Sequence, residues 1–443
     1  MIEMESDRFE FRTEIEISDS DLLTGIDLNL GYGDYQHSES GLEDGEFHTH
    51  ATYLREGYEG RLALNHQIGN LSGALGIHGL FDEFKIVGEE SIFGGLSRRW
   101  IDSGIVGDPT DDTNESFPSN PSIEGEESSR IALFLIEEYD LSDDTTLNAG
   151  IRWESTKREY QSTIADRDDN TLSASGGFSH DLSELWNVSS NVSYSERTPD
   201  SAELYSDGAH HATEAYEIGN RDLENESAVG FEIIVRKTVG KVTGQFSAFH
   251  TKYNDFIFLE HTGQERGTDG NPKNTDVYNP SGFAPDVEGL EEKAYKAADA
   301  EFQGLEVEID WLAMENPGWD LLLSFYGDTI TGKNKTDGGN LPRIPASRLG
   351  FGFEVMQEKL DFGMNLTRSL EQDDLGDDEE VTPAFSMLDA FASYDINFGN
   401  SVGQLFVKGS NLTDELAYNH ASVLKQFAPL PGRSFEVGLK FDF

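Results

Sequence analysis

"RFEFRTEIEI", residues 8–17, sets Phe9, Phe11, Ile15 and Ile17 on one side of an extended chain and Glu10, Arg12, Glu14 and Glu16 on the other. Successive side chains of a strand point to opposite faces, so the stretch predicts a strand with one apolar and one charged face. The pattern recurs in "LNAGIRWES" (Leu147, Ala149, Ile151, Trp153), "GLEVEIDW" (Leu305, Val307, Ile309, Trp311) and "RLGFGFEV" (Leu349, Phe351, Phe353, Val355). It returns in "LDFGMNL" and closes the chain in "SFEVGLKFDF". Roughly 17 such segments are legible by their period of two.

What lies between the segments decides which β architecture they build. Short turns such as "DLSDDTT" and "FGNS" alternate with long polar stretches, 88–127 and 260–295, rich in Gly, Asp, Asn and Pro. Soluble sheets use strands of about five or six residues and seldom tolerate loops beyond about 15. Alternation that runs for ten residues or so, with charge and glycine on the second face and turns short at one end only, is the pattern of an all-β transmembrane antiparallel β-barrel: lipid outside, polar lumen inside. Closure satisfies every backbone group, which a strand in hydrocarbon requires. The longest purely apolar run, Ile131–Ile136, is far too short for a spanning helix of about 20 residues.

Charge narrows the function. The 443 residues hold 84 acidic and 32 basic side chains, a formal net charge of −52. Such a polyanion repels nucleic acid and attracts cations. With no cysteine, disulfides, thiolate nucleophiles and Cys-ligated metals are excluded, and any metal falls to His, Asp or Glu. No GxSxG turn is present, "GKNKT" at 332–336 lacks the upstream glycine of a phosphate loop, and the acidic runs "DDTNESFPSNPSIEGEESS" and "EQDDLGDDEE" lack the spacing of a calcium loop. No catalytic constellation emerges, so an enzyme is not expected.

Two stretches then carry a resemblance. Arg197-x-Pro199, Glu203-Leu204-Tyr205, Gly208, Tyr216-Glu217-x-Gly219-Asn220, Leu223 and Glu226 resemble the strand-loop-strand signature of the TonB-dependent receptors of Gram-negative outer membranes. "GSNLTDELAYNH" (409–420) and "PLPGRSFEVGLKFDF" (429–443), with its terminal Phe443, are similar to that family's carboxy-terminal region. The resemblance implies a 22-stranded barrel with an amino-terminal plug in its lumen, outer-membrane lipid around it, and uptake of a scarce nutrient. The start "MIEMESDRFEFRTEI" shows neither a plug, nor a TonB-contacting box, nor a signal peptide. The expectation is therefore that residues 1–443 are the later part of such a barrel, amino-terminally truncated, and that the TonB complex becomes a partner only with the plug restored.

Within the resemblance, His210-His211-Ala212-Thr213 is similar to an element of receptors associated with zinc uptake. Imidazole is the ligand zinc favours once thiolate is excluded. Adjacent histidines diverge on an extended chain, so a partner from elsewhere is expected, with Asp207 nearby. A second cluster, "EFHTHATY", sets His48 and His50 two apart, on one face of a strand, at the external mouth or upper lumen; His37 is within reach of the same mouth. The candidate metal residues are thus His210, His211, Asp207, His48 and His50, with zinc or another metal ion, free or as a chelate, as transported ligand and no resident cofactor. A siderophore, haem or vitamin receptor is the alternative within transport, and a passive pore or inert barrel fragment the alternative outside it.

Overall fold

A computed structural model describes residues 2–18, 20, 22–43, 46–88, 125–160, 166–210, 215–266, 290–377, 379–398, 401–425 and 428–442. The strands are β1 (Ile2–Glu16), β2 (Leu23–Glu43), β3 (Glu46–Ile68), β4 (Leu71–Gly88), β5 (Glu126–Ser142), β6 (Thr145–Tyr160), β7 (Arg167–Ser183), β8 (Trp186–Arg197), β9 (Asp207–His210), β10 (Ala215–Ile218), β11 (Glu226–Lys237), β12 (Val242–Arg266), β13 (Leu290–Asn316), β14 (Trp319–Asn334), β15 (Arg348–Gln357), β16 (Leu360–Ser369), β17 (Phe385–Phe398), β18 (Ser401–Ser410) and β19 (Ser434–Asp442). One short helix, α1 (Ser201–Tyr205), interrupts them. β9 and β10 have four residues each. They lie in the connection from β8 to β11, which pair directly with each other. The other 17 strands form one antiparallel meander, the number that the alternation predicts. No ladder joins β19 to β1 among the described residues.

Register turns the alternation into a wall with two chemistries. One row on the outer face runs Leu28, Leu62, Ile77, Leu133, Trp153 and Leu172 from β2 to β7, each opposite the next. The next runs Ile15, Ile26, Leu64, Leu75, Leu135 and Ile151. Most of these side chains are apolar yet exposed, Leu133 by 51% and Leu75 by 53%, because lipid and not protein is their solvent. On the other face of β6 to β8 lie Arg152, Ser173, Ser175 and Ser193.

Towards the long-loop end the belt stops abruptly. Phe9, Tyr32, Tyr58 and Phe81 stand opposite one another across β1–β4, an interfacial aromatic girdle. One step further, Asp7, Asp34, Glu56, Glu83, Glu127 and Glu159 form an unbroken row across six strands. Like charges directly opposite repel in a sheet, so the row belongs in water, above the hydrocarbon.

Turns at the opposite end are tight. Gly69 (φ 62°) and Gly318 (φ 95°) supply the positive φ at the β3–β4 and β13–β14 reversals. At the long-loop end, β12 and β13 continue past the β14 pairing, which stops at Ala300. Residues 260–266 and 290–295, expected as loop, are strand: polar side chains hid a ladder that the hairpin itself sustains. The remainder of that expected loop, 267–289, and most of 88–127 lie outside the described residues.

The projecting ribbon is covered on both faces. Phe258, Ala298 and Ala300 pack with Leu341 and Ile344 of the β14–β15 connection. Ile257 and Tyr295, on the opposite face, pack with Leu204, Tyr205 and Leu223. These two buried apolar clusters lie under the mouth loops.

Candidate functional site

The signature residues build the platform on which the mouth site stands. Arg197, the last residue of β8, donates from Nη1 to Glu203 Oε2 (2.8 Å) and from Nη2 to Glu226 Oε2 (3.3 Å). Glu226 also accepts the Ile257 amide at 2.8 Å, which ties β11 to the ribbon. Asp200 and Glu203 form a reciprocal capping box on α1, each accepting the other's backbone N–H at 2.8 Å. Gly219 is where the returning chain crosses α1. A Cβ there would lie 2.5 Å from Leu204 C and Tyr205 N, closer than any side chain tolerates. These residues are structural brackets, and they fix where the histidines sit.

His210 ends β9, opposite Ala215 of β10. Its Nδ1 lies 2.8 Å from Glu217 Oε1. The Glu217 residue is only 2% exposed, and its Oε2 accepts from the Tyr295 hydroxyl at 3.4 Å. β10 runs parallel to β13 and sets Glu217 beside Lys293. A carboxylate against Nδ1 is the arrangement that orients a metal-binding imidazole.

Asp207 stands on the other face of the β9–β10 hairpin, since it is three residues from His210. It accepts from the Tyr216 hydroxyl at 3.0 Å. The buried Tyr216 ring lies 5.3 Å under the Arg266 guanidinium, which is paired with Glu292. The structure therefore unites His210 with Glu217, not with Asp207. Glu217 was legible as part of a signature but not as a partner, because the pairing depends on hairpin register.

The other candidates are placed unevenly. His211 lies outside the described residues. His48 and His50 are in β3, with His48 opposite Gly41, and the ladder slips by one residue between the pairs Ser40–Thr49 and Glu39–Ala51. The extra residue of that slip is His50. Their side chains lie outside the described residues. His37 is stacked on Tyr53, rings 4.3 Å apart and 9° from parallel. Among the described residues no group of three or more His, Asp or Glu is arranged to hold a metal.

A second mouth cluster went unread in the sequence. His420, 4% exposed, lies 2.8 Å from Thr382 Oγ1 through Nδ1 and 3.4 Å from Glu379 Oε2 through Nε2. Glu379 also accepts the backbone N–H of Arg343 (2.7 Å) and Gly376 (2.9 Å). One carboxylate thus ties together the β14–β15, β16–β17 and β18–β19 connections. Asn411 completes the last of these, bonding Glu415 N, Glu415 O and Pro431 O from a left-handed position (φ 48°).

Burial opposes the Glu379 charge, but the neighbouring His420 imidazole and the two amides hold its carboxyl below the usual carboxylate range. A depressed folded value contributes stability that is present above the unfolded value and lost as pH falls through the folded one. The protection factors of the Arg343 and Gly376 amides, rates corrected for intrinsic exchange, should therefore drop in the native protein as pH falls through that folded value. In Glu379→Gln protection should be low already at neutral pH. A native pH profile that matches the variant's would refute this role.

The family follows from sequence and fold together. The family model of the TonB-dependent receptor-like β-barrel matches residues 2–412. The chain belongs to that family, and its place is the outer membrane. Among solved structures it is similar to the copper transporter OprC, at 16% identity and TM-score 0.76, over 99% of this chain and 66% of that one. It is similar to the FrpB iron transporter from Neisseria meningitidis, at 13% identity and TM-score 0.69, over 98% of this chain and 63% of that one. The siderophore receptor PirA from Acinetobacter baumannii matches at 16% identity and TM-score 0.65, over 99% and 62%. The chain spans just under two thirds of the length of these proteins, and identities so low speak for the fold alone.

Proposed function

We propose that this chain is the barrel of an outer-membrane receptor that takes up a metal, most readily zinc, with coupling to the TonB complex through a plug in the lumen. The observation that carries this reading is the His210–Glu217 pair at the mouth: a buried carboxylate orients an imidazole there. His211 and the His48/His50 pair are the proposed further ligands. Asp207, on the opposite hairpin face, adds to the acidic field that concentrates cations. The relatives named for copper, iron and siderophore transport make a metal or its chelate a consistent cargo.

Zinc is titrated calorimetrically into the purified chain in detergent. His210→Ala should weaken binding at least tenfold, and His48→Ala plus His50→Ala should weaken it separately. Because neutral imidazole is the ligand, affinity should also fall below about pH 6.5. Unchanged affinity in both variants would return the histidines to packing roles and favour an organic chelate as cargo.

A further inference from the structure

We propose that the outer face of the wall between β3 and β6 holds the headgroup of a zwitterionic lipid of the phosphoethanolamine class. A cavity of about 480 Å³ opens there, outside the lumen, at the height where the apolar belt ends. Three rows of cross-strand neighbours meet at it in a fixed order. Lowest are Gly60, Gly79 and Ile131, two bare positions and an apolar one, directly above Leu62, Ile77 and Leu133 of the belt. Next come Tyr58, Phe81, Ser129 and Lys157, and outermost Glu56, Glu83, Glu127 and Glu159. All eight residues of the upper two rows line the cavity.

The upper two rows carry opposite chemistry. The middle row presents two exposed rings, Tyr58 by 58% and Phe81 by 50%, beside a hydroxyl and an ammonium that donate. The outer row presents carboxylates, which accept. Rows two residues apart lie about 7 Å along a strand, and less in height because barrel strands tilt. An acyl chain over the bare strip, a phosphate against Ser129 and Lys157, and an ammonium among the glutamates repeat the order in which a phosphoethanolamine lipid sets out its parts. Lys157 is paired with Glu159 and keeps further N–H groups for a phosphate. Glu83 is paired with Lys85, and Glu56 accepts from the Tyr32 hydroxyl at 3.1 Å. Glu127, exposed in the middle of the outer row, forms no ion pair among the described residues. A primary ammonium donates to such a carboxylate, where a quaternary one cannot. Among the described residues no three acidic groups are arranged to hold a metal, which favours an ammonium over a divalent ion that bridges to an anionic headgroup.

The proposal is independent of the zinc reading and of the plug, since the site lies on the outer face. The full chain in detergent is mixed with phosphatidylethanolamine, phosphatidylcholine and phosphatidylglycerol of identical acyl chains, and the retained lipid is identified by native mass spectrometry. Phosphatidylethanolamine should be retained about fivefold over each of the others, the order of one exposed ion-pair contact. Glu83→Gln plus Glu127→Gln should remove that preference. Asp7→Asn plus Asp34→Asn, in the same acidic row but beyond the cavity, should leave it unchanged. None of the four side chains is buried, so both variants should fold, which far-ultraviolet circular dichroism verifies. Equal retention of phosphatidylethanolamine and either other lipid, a folded Glu83→Gln plus Glu127→Gln variant that keeps the preference, or an equal loss in the Asp7→Asn plus Asp34→Asn variant would each overturn the proposal.

Discussion

Replacing Leu133 by Arg should destabilise the barrel by about 2–4 kcal/mol, the cost of a guanidinium at the hydrocarbon midplane. Leu133 stands between Ile77 and Trp153 in the outer row and is 51% exposed in the bare protein. In water such exposure would make the substitution harmless or favourable. Val437 of β19, 68% exposed and opposite Val407, should respond likewise to Lys. Glu436, one residue earlier and opposite Lys408 on the lumen face, should tolerate Gln at far lower cost. Equilibrium urea unfolding in lipid vesicles measures all three. A Leu133→Arg barrel as stable as the parent in lipid would mean that this face does not meet hydrocarbon.

Glu226→Ala should cost about 2–3 kcal/mol. The change leaves the Ile257 amide, bonded to Glu226 at 2.8 Å, without its acceptor and takes one carboxylate from Arg197. A fully buried charge stranded in this way costs about 3–5 kcal/mol. The Arg197 side chain retains Glu203 and is 43% exposed, so solvent recovers part of that cost. Glu226→Gln keeps an acceptor oxygen and should lose about half as much. The loss should be local first: protease sensitivity should rise in 198–225, where α1 and the β9–β10 hairpin depend on the bracket, before the wall unfolds. If Glu226→Ala matches the parent in both stability and cleavage, the signature does not hold the mouth together.

How far the sequence reaches is clearest by comparing Phe9 with Glu217. Phe9 is placed outward by its own neighbours, because a period of two needs no knowledge of the partner strand. Glu217 lies seven residues from His210, and nothing local says that a hairpin will fold one against the other. The ribbon is the converse case. Residues 260–266 and 290–295 looked like loop because their polarity masks alternation, yet each strand supplies the other's hydrogen bonds. His420 was legible only as part of a family motif, and its role as a junction of three connections comes from contacts more than 35 residues away in sequence.

By itself the sequence determined the fold class, the 17 wall strands, which side chains face lipid, and the family. All of these are encoded in alternation and in short signatures, which act within a strand and its turn. Only the tertiary structure decided the pairing of His210 with Glu217 and its separation from Asp207, the six-carboxylate row above the girdle and the slip at His50. The physical reason is register. Alternation fixes the face of a residue, but its height against the next strand is fixed by turn lengths and bulges across the whole sheet, and a shift of one residue would reassign every cross-strand neighbour.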